Sequence, residues 1–280
     1  MPDYRIGVIG TGAGYSGNST PPDAIARLAG AGFKPELIET RLRTFPMTPY
    51  DRALTVLAYL DCAIEAEKAG FDAVFINTVG DYGIDAMKSA TGMVVVGAGE
   101  ASMAMCCNVG RKFSIVTIWP PRMNFIYHER LRSCAMDHRC VSIRNVLSDD
   151  EFADPDAAGK AISSLEQQHA PMLERTLAAI SAAVEEDGAD TIMLGCTCMA
   201  PVGPELAERA QVPVLEPMRT GYKTVETMLS LGIRHSHQAY PKANPANLNA
   251  VGALITGQGN VDLGGDCEVC VFDQEIVAGP

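Results

Sequence analysis

Apolar residues along this chain fall into two patterns, short continuous runs and longer segments with helical spacing. The short runs are bounded by Gly, Pro or Asp and are typical of buried strands; they lie at residues 5–10, 35–39, 73–76, 93–96, 112–118, 140–144, 190–195 and 212–215. The longer segments predict helices over residues 24–31, 50–69, 81–91, 100–108, 122–134, 168–187 and 219–231. Strands that alternate with helices indicate an α/β fold with parallel sheets covered on both faces.

One stretch of this pattern occurs twice. Residues 70–78 read GFDAVFINT, and residues 188–196 read GADTIMLGC. In each copy a helix end is followed by an Asp, a short apolar run, and a hydroxyl or thiol side chain six residues after the Asp. The repeat predicts two similar halves that each present one reactive side chain at a strand tip, with the site between the two tips.

These patterns divide the chain into two halves and a tail. The first half is residues 1–111 together with about 217–234, the second is residues 112–216, and the tail is residues 235–280. The tail is rich in Pro, Asn and Gly, with one apolar run around residues 250–255. We expect it to pack on a neighbouring subunit or to be partly mobile, which favours a homo-oligomer.

Charge and composition narrow the choice of partners. The 280 residues carry 22 Lys and Arg against 34 Asp and Glu, which gives a formal net charge of −12. This acidity argues against nucleic acid and anionic membrane as partners, and no uninterrupted apolar segment is long enough to span a bilayer. The start of the sequence has no signal-peptide pattern, so the nine cysteines are expected to be free thiols in a reducing cytoplasm.

Cys196 is the leading catalytic candidate. It follows a buried run and opens a loop that leads through Pro201 and Pro204 into a helix. Sites of open parallel sheets lie beyond the carboxyl ends of the strands, and a helix N-terminus favours a thiolate. An ordinary thiol pKa of about 8.5 suits proton transfer near neutral pH. The alternative is a small hydrophobic residue in the core.

Thr78 occupies the matching place in the first half. An alcohol is a far weaker acid than a thiol, so Thr78 is expected to orient the substrate, to donate a hydrogen bond or to relay a proton. The alternative is a strand-end Thr that caps the helix near Asp81.

Five segments, taken in this order and spacing, resemble the aspartate/glutamate racemase superfamily, most closely its hydantoin racemase branch. They are residues 77–81 (NTVGD), 97–101 (GAGEA), 113–117 (FSIVT), 194–197 (LGCT) and 212–217 (VPVLEP). The resemblance implies two Rossmann-like halves related by a pseudo-twofold axis, with the active site in the cleft between them and no metal or organic cofactor. It also implies two cysteines on opposite faces of the substrate, one that takes the α-proton and one that returns it.

The chain departs from that pattern at one position. Cys196 matches the second cysteine, but Thr78 stands at the first. If the chain racemises its substrate, the two directions are expected to be unequal, because only one face meets a thiol. Alternatively, a single cysteine can protonate an enolate formed by loss of CO₂, as in the arylmalonate decarboxylase branch, or add to an alkene or carbonyl, as in the maleate isomerase branch. A non-catalytic metabolite-binding protein is a third alternative.

The predicted function is a cofactor-independent racemase or isomerase that acts next to a carbonyl of a small hydantoin, amino acid or carboxylate. Such a reaction passes through an enolate, whose oxygen needs hydrogen-bond donors, and the backbone N–H groups after Thr78 and Cys196 are suited to this role. The predicted substrate contacts, from the Gly-rich loop and from both strand tips, are Asn18, Ser19, Thr20, Val79, Gly80, Thr117 and Thr197.

Two weaker motifs point to cofactors, and both are set aside. A GxGxxG pattern at residues 12–17 follows a strand, as in a dinucleotide fingerprint, but residues 18–22 intervene before a helix can begin. The CxC at residues 196–198 and the CxxC at residues 267–270 lie in a predicted catalytic loop and in the tail, and they do not form a zinc motif. The sequence therefore predicts neither an organic cofactor nor a metal.

Overall fold

Two four-stranded parallel sheets with the same strand order form the framework. The computed structural model describes residues 3–10, 23–154, 157–248 and 250–257. The first sheet contains β1 (Tyr4–Ile9), β2 (Phe33–Leu37), β3 (Ala73–Ile76) and β4 (Val94–Gly97), in the order β2-β1-β3-β4. The second contains β5 (Phe113–Thr117), β6 (Cys140–Asn145), β7 (Thr191–Leu194) and β8 (Val214–Leu215), in the order β6-β5-β7-β8. The identical order confirms the predicted α/β fold built from two similar halves.

Helices cover the faces of both sheets. Within the described residues they are α1 (Asp23–Leu28), α2 (Pro49–Lys68), α3 (Ile84–Ala90), α4 (Ala98–Val109), α5 (Phe125–Ser133), α6 (Ala157–Glu166), α7 (Ala170–Glu185), α8 (Gly203–Arg209), α9 (Pro217–Ser230) and α10 (Ala250–Gly257). The start of α2 shows how the sequence sets a boundary, since Thr48 and Asp51 form a reciprocal capping box around Pro49. Among these helices, none has both the length and the apolar composition needed to cross a bilayer.

The helix predicted over residues 168–187 is present as α7, and a further helix, α6, precedes it. Helix α6 was not predicted, because Gly159 and its Ser residues lower the helix propensity of the segment. Ile162 and Leu165 are nevertheless buried, so tertiary packing decides the outcome. Gln168, with a positive φ of 50°, separates α6 from α7.

Helices α4 and α9 tie the two halves together. Met103 of α4 packs in one cluster with Phe113 and Met193 of the second sheet. Helix α9 follows the second sheet but packs on the first, where the Tyr222 and Phe75 rings meet edge to face with centroids 6.0 Å apart. Each of these two helices therefore packs on the sheet other than the one it follows along the chain.

A single core also joins the two sheets. The buried residues Ile9, Val74 and Ile76 of the first sheet belong to the same apolar cluster as Val116 and Leu194 of the second. Close-packed interiors resist deformation, so this shared core fixes the carboxyl ends of the two sheets relative to one another.

The described part of the tail packs on its own chain. The Val95 N–H, on the edge strand β4, donates to Nε2 of His235 over 2.8 Å, and the Ala243 N–H donates to the Ser89 carbonyl over 3.0 Å. Burial lowers the pKa of His235 to about 4, so the imidazole is neutral and able to accept this bond at physiological pH. The tail thus covers the edge of the first sheet. Its contact with a neighbouring subunit stays a prediction.

We expect Gly221→Ala to destabilise the packing of α9 on the first sheet and on α4. A Cβ on this α9 residue would lie 2.5 Å from Cε2 of Phe75 and 2.9 Å from the Cα of Ala98, a backbone atom that has little freedom to move. The free energy of unfolding, measured by urea denaturation, should fall by about 1–3 kcal/mol. Gly257→Ala is the matched control, since among the described residues nothing lies within 4 Å of its added Cβ. Equal stability of the two variants would contradict this account of the packing.

Candidate active site

Thr78 and Cys196 stand at equivalent strand ends. The Asn77 N–H donates to the carbonyl of the last β1 residue over 2.6 Å, and the Gly195 N–H donates to a carbonyl of β5 over 2.7 Å. Each bond extends the pairing of the two central strands by one residue. The next residue, Thr78 or Cys196, is in each half the first to leave the sheet.

The two strand tips are in direct contact. The Thr197 hydroxyl donates to the Asn77 carbonyl over 2.9 Å, and both residues are buried. This bond joins the neighbour of Cys196 to the neighbour of Thr78, so the structure brings the two predicted catalytic residues to one place. The Thr197 side chain is used in this link, which leaves its backbone N–H as the group able to contact a substrate.

Cys196 is bonded to Cys198 in this structure. Their sulfur atoms form a disulfide, with the Cα atoms 5.1 Å apart. The prediction of free thiols is therefore wrong for this pair, because a side chain two residues away lies within bonding reach. The Cys198 N–H also donates to Sγ of Cys196 over 3.1 Å. The cysteines that are free within the described residues are Cys62, Cys106, Cys107, Cys134 and Cys140.

Thr78 carries an unused hydroxyl. Its Oγ1 is buried and has no hydrogen-bond partner within the part of the chain that the structure describes. Leaving a buried hydroxyl unpaired costs about 1–3 kcal/mol, so such groups call for an explanation at the site where they occur. The Thr78 hydroxyl therefore has no partner within the described residues, and its contact with a substrate stays a prediction.

Backbone donors are also available at both tips. In the described ranges, no hydrogen bond uses the N–H groups of Val79, Gly80 or Thr197. These are the groups that the sequence assigns to an enolate oxygen. Buried N–H groups are rarely left without an acceptor, so an anionic oxygen is a suitable partner for them.

Thr117 supports the second tip from behind. Its enclosed hydroxyl is 2.6 Å from the Tyr127 hydroxyl, which donates to the Gly195 carbonyl over 2.8 Å, and the Trp119 N–H donates to Thr117 Oγ1 over 3.2 Å. Since the Tyr127 proton goes to Gly195, Thr117 donates to Tyr127. The proton and one lone pair of the hydroxyl are engaged within the chain, so Thr117 supports the tip, and its predicted substrate contact stays a prediction.

Two buried carboxylates cap the helices that cross between the halves. Glu216 accepts the N–H groups of Met218 and Arg219 at the start of α9, over 2.7 and 3.0 Å. Asp81, three residues after Thr78, accepts two N–H groups at the start of α4. Burial raises the pKa of Glu216 to about 7 in spite of these donors. Burial, followed by the charge of Glu100, also raises the pKa of Asp81.

Sequence reasoning did not assign a role to three of these residues. Cys198 was considered only as a metal ligand, although its spacing from Cys196 permits a bond. Tyr127 lies in a predicted helix, and nothing in the sequence indicates that its hydroxyl reaches a strand tip. The sequence predicts that a helix begins at Asp81, but α3 begins only at Ile84. The backbone φ of Asp81 is 44°, which lies in the left-handed region.

Not every predicted substrate contact falls within the described residues. Asn18, Ser19 and Thr20 lie outside the described residues. Across the residues that are described, no group of three or more His, Cys, Asp and Glu side chains is arranged to hold a metal ion. An open cavity of about 510 Å³ lies beside α8, but neither Thr78 nor Cys196 lines it. We assign the candidate site to the tips, because the reactive side chains and available donors are there.

Comparison with known protein families gives a consistent result. The family model described as Asp/Glu/hydantoin racemase matches residues 26–225. A hydantoin racemase from Paenarthrobacter aurescens is 34% identical over 188 residues, which cover 67% of this chain and 74% of that protein. A hydantoin racemase from Pseudomonas sp. (strain NS671) is 31% identical over 207 residues, which cover 73% of this chain and 77% of that protein.

Solved structures support the same fold. The allantoin racemase from Klebsiella pneumoniae superposes with a TM-score of 0.69 at 24% identity, and the match covers 86% of this chain and 95% of that chain. A glutamate racemase from Bacillus anthracis superposes with a TM-score of 0.58 at 14% identity, over 92% of this chain and 95% of that chain. At these identities the likeness concerns the fold alone.

We expect Tyr127→Phe to weaken the second tip. The change leaves the Thr117 hydroxyl and the Gly195 carbonyl with a missing partner in a buried position, so the free energy of unfolding should fall by about 1–3 kcal/mol. Tyr222→Phe is the matched control, because the equally buried Tyr222 hydroxyl has no partner within the described residues. Urea denaturation compares the two variants. A Tyr127 variant as stable as the Tyr222 variant would show that the hydroxyl bridge contributes nothing.

Proposed function

The chain belongs to the Asp/Glu/hydantoin racemase family, and we propose that it racemises a small hydantoin-type substrate with reduced Cys196 as the main proton-transfer group. The names of the two relatives, at 34% and 31% identity, support a hydantoin-type substrate. The observation that carries the mechanism is the buried hydrogen bond from Thr197 to Asn77, because it holds the neighbours of Cys196 and Thr78 together.

The proposed reaction is proton transfer at the ring carbon next to a carbonyl. The Cys196 thiolate takes the proton, an S–H bond forms, and the electron pair of the broken C–H bond moves into the carbonyl to give a planar enolate. A proton returned to the opposite face inverts the carbon, and a proton returned to the same face restores it. The Cys198 N–H, 3.1 Å from the sulfur, favours the thiolate form.

The backbone N–H groups of Val79, Gly80 and Thr197 are proposed to bind the enolate oxygen. They are free of partners within the described residues, and they come from both tips. Donors fixed in place stabilise a developing negative charge more than the neutral carbonyl, so they lower the barrier to proton removal.

Thr78 is proposed to serve the other face of the substrate, as a hydrogen-bond donor or as part of a proton relay. Mirror-image substrates have equal free energy in water, so kcat/KM must be the same in both directions of a racemisation. Unequal groups on the two faces cannot make the overall reaction one-sided. The inequality predicted from the sequence is therefore expected in kcat and KM taken separately, and in isotope exchange.

We expect one enantiomer to exchange its α-hydrogen with solvent faster than it inverts. Cys196 can return a proton to the face from which it took one, whereas Thr78 transfers a proton poorly from the opposite face. The test uses each enantiomer of a hydantoin with a single ring substituent, incubated with reduced enzyme in D₂O. NMR measures deuterium incorporation, and chiral chromatography measures inversion.

Three variants complete this experiment. Cys196→Ser should lower exchange and inversion by about 100-fold or more, and Cys107→Ala should leave both unchanged. Thr78→Cys should raise inversion relative to exchange, because a thiol would then face each side. A full rate in the Cys196 variant would refute its assignment, and an unchanged ratio in the Thr78 variant would mean that Thr78 does not face the substrate. Release of CO₂ from a malonate-type substrate without inversion would favour the decarboxylase alternative.

Activity is also expected to require reduction of the Cys196–Cys198 disulfide. A disulfide sulfur has no proton to exchange, and reduction by a dithiol supplies two electrons and two protons to restore both thiols. Wild-type enzyme oxidised with a low-molecular-weight disulfide, with the bond verified by mass spectrometry, should be inactive until a reductant is added. Cys198→Ala should prevent this inactivation, because the Cys196–Cys198 disulfide can then no longer form. Full activity of the verified oxidised wild type would contradict the role of Cys196 as a base.

A further inference from the structure

Asp81 anchors the first strand tip to helix α4. It lies three residues after Thr78 and is 1% exposed. Its carboxylate accepts the Gly99 N–H over 2.8 Å and the Glu100 N–H over 2.6 Å, both in the first turn of the helix. The Asp81 N–H in turn approaches the Thr78 carbonyl at 3.4 Å. The loop from Thr78 to Asp81 is thus folded back over the start of α4.

Glycines permit this close approach. A Cβ on Gly97 would overlap the Asp81 carboxylate, and a Cβ on Gly99 would overlap the Val79 carbonyl. The start of α4 therefore has no side chains where the loop rests on it. Asp81 adopts a positive φ of 44°, a conformation that Asp tolerates better than most residues. The loop, the carboxylate and the helix start form one closely fitted unit.

Some of the groups around Asp81 offset part of the cost of burying a carboxylate. Burial and then the charge of Glu100 raise the pKa of Asp81, whereas Arg130 and the two N–H donors lower it. Arg130 is itself buried, and its closest carboxylate contact is Asp85 at 3.8 Å. Lys88 pairs with Glu100 over 2.7 Å. Burial of the Asp81 carboxyl group has a net cost in free energy, so this residue calls for a role other than solubility.

The second tip has no equivalent anchor. The residue three positions after Cys196 is the buried Met199, and α9 is capped by Glu216 from its own first turn. Within the described residues, only the tip without sulfur is held on a helix by a carboxylate. The residues directly between Thr78 and this anchor are Val79 and Gly80, whose N–H groups have no acceptor in the described ranges.

We propose that Asp81 is a positioning residue of the racemase, which holds the loop so that the Val79 and Gly80 N–H groups point at the enolate oxygen. This role rests on the proposed function. Each of the two Asp81 carboxyl oxygens accepts one helix N–H group, whereas an amide would turn its NH₂ group toward one of these donors. Asp81→Asn should therefore loosen the loop without touching either proton-transfer group.

The test compares Asp81→Asn with Asp190→Asn. Asp190 also accepts backbone N–H groups, from Arg111 and Lys112 over 2.9–3.1 Å, but it precedes β7 at the opposite end of the strand from Cys196. The expected result for folded Asp81→Asn is a kcat at least about 10-fold lower with KM changed by less than about 3-fold, because the donors act on the transition state. Asp190→Asn should change kcat by less than about 2-fold.

A second readout does not depend on activity. Hydrogen exchange measured by mass spectrometry should become faster in the peptide around residues 77–83 of Asp81→Asn, while the peptide that contains Cys196 should keep its wild-type exchange rate. If the wild type racemises no substrate, the proposed function fails and this exchange alone decides whether Asp81 holds the loop. Wild-type exchange in the 77–83 peptide would overturn the anchoring role.

The remaining outcomes also decide the proposal. A folded Asp81→Asn enzyme with wild-type kcat, or with the loss confined to KM, would overturn it. If this variant fails to fold, Asp81→Glu keeps the charge but shifts the loop by one methylene group, and a kcat loss of at least about 10-fold is again expected. Wild-type kcat in folded Asp81→Glu, or failure of both variants to fold, would assign Asp81 to general stability instead.

Discussion

The site depends on one buried hydrogen bond, from the Thr197 hydroxyl to the Asn77 carbonyl. Without a fixed link, two α/β halves in one chain move relative to one another by default. Here the shared apolar core fixes the sheets, and this bond fixes the strand tips. It lies one residue from each candidate proton-transfer group. The positions of these two groups relative to one another are therefore closely fixed. A tolerance of about 1 Å matters in such chemistry, which explains why a polar contact is buried here.

The sequence predicts the features that local residue patterns determine better than the features that three-dimensional contacts determine. Short buried runs and the repeated Asp-to-tip spacing depend on local pattern, and the two sheets follow it closely. Helix α6 has weak local propensity and forms because Ile162 and Leu165 find a place in the core. Thr117 is predicted to contact the substrate because the sequence does not indicate that the Tyr127 hydroxyl bonds to it. The bond between Cys196 and Cys198, and the left-handed backbone of Asp81, depend on three-dimensional proximity that spacing alone does not reveal.

The two halves share a topology but differ in chemistry at their tips. The second tip carries sulfur and is held from behind by Tyr127, which donates to the Gly195 carbonyl and is itself hydrogen-bonded to Thr117. The first tip carries a hydroxyl and is held by Asp81 on the start of α4. A thiol is suited to taking a proton and a rigid set of N–H donors to stabilising the resulting charge. The duplication thus supplies two equivalent positions. In the proposed reaction the second tip transfers the proton and the first tip helps to stabilise the charge.

Cys198 has two opposite effects on Cys196, the candidate proton-transfer residue. Its backbone N–H lies 3.1 Å from the Cys196 sulfur, which helps the thiolate. An N–H two residues along the chain reaches the sulfur only if the loop turns tightly, and that same turn brings the Cys198 side chain close. Any residue at position 198 would retain the N–H, so the N–H does not explain the second sulfur. What the second sulfur adds is a partner for oxidation of Cys196, so the tight turn that favours the thiolate of the proposed base also makes that base open to loss of its thiol.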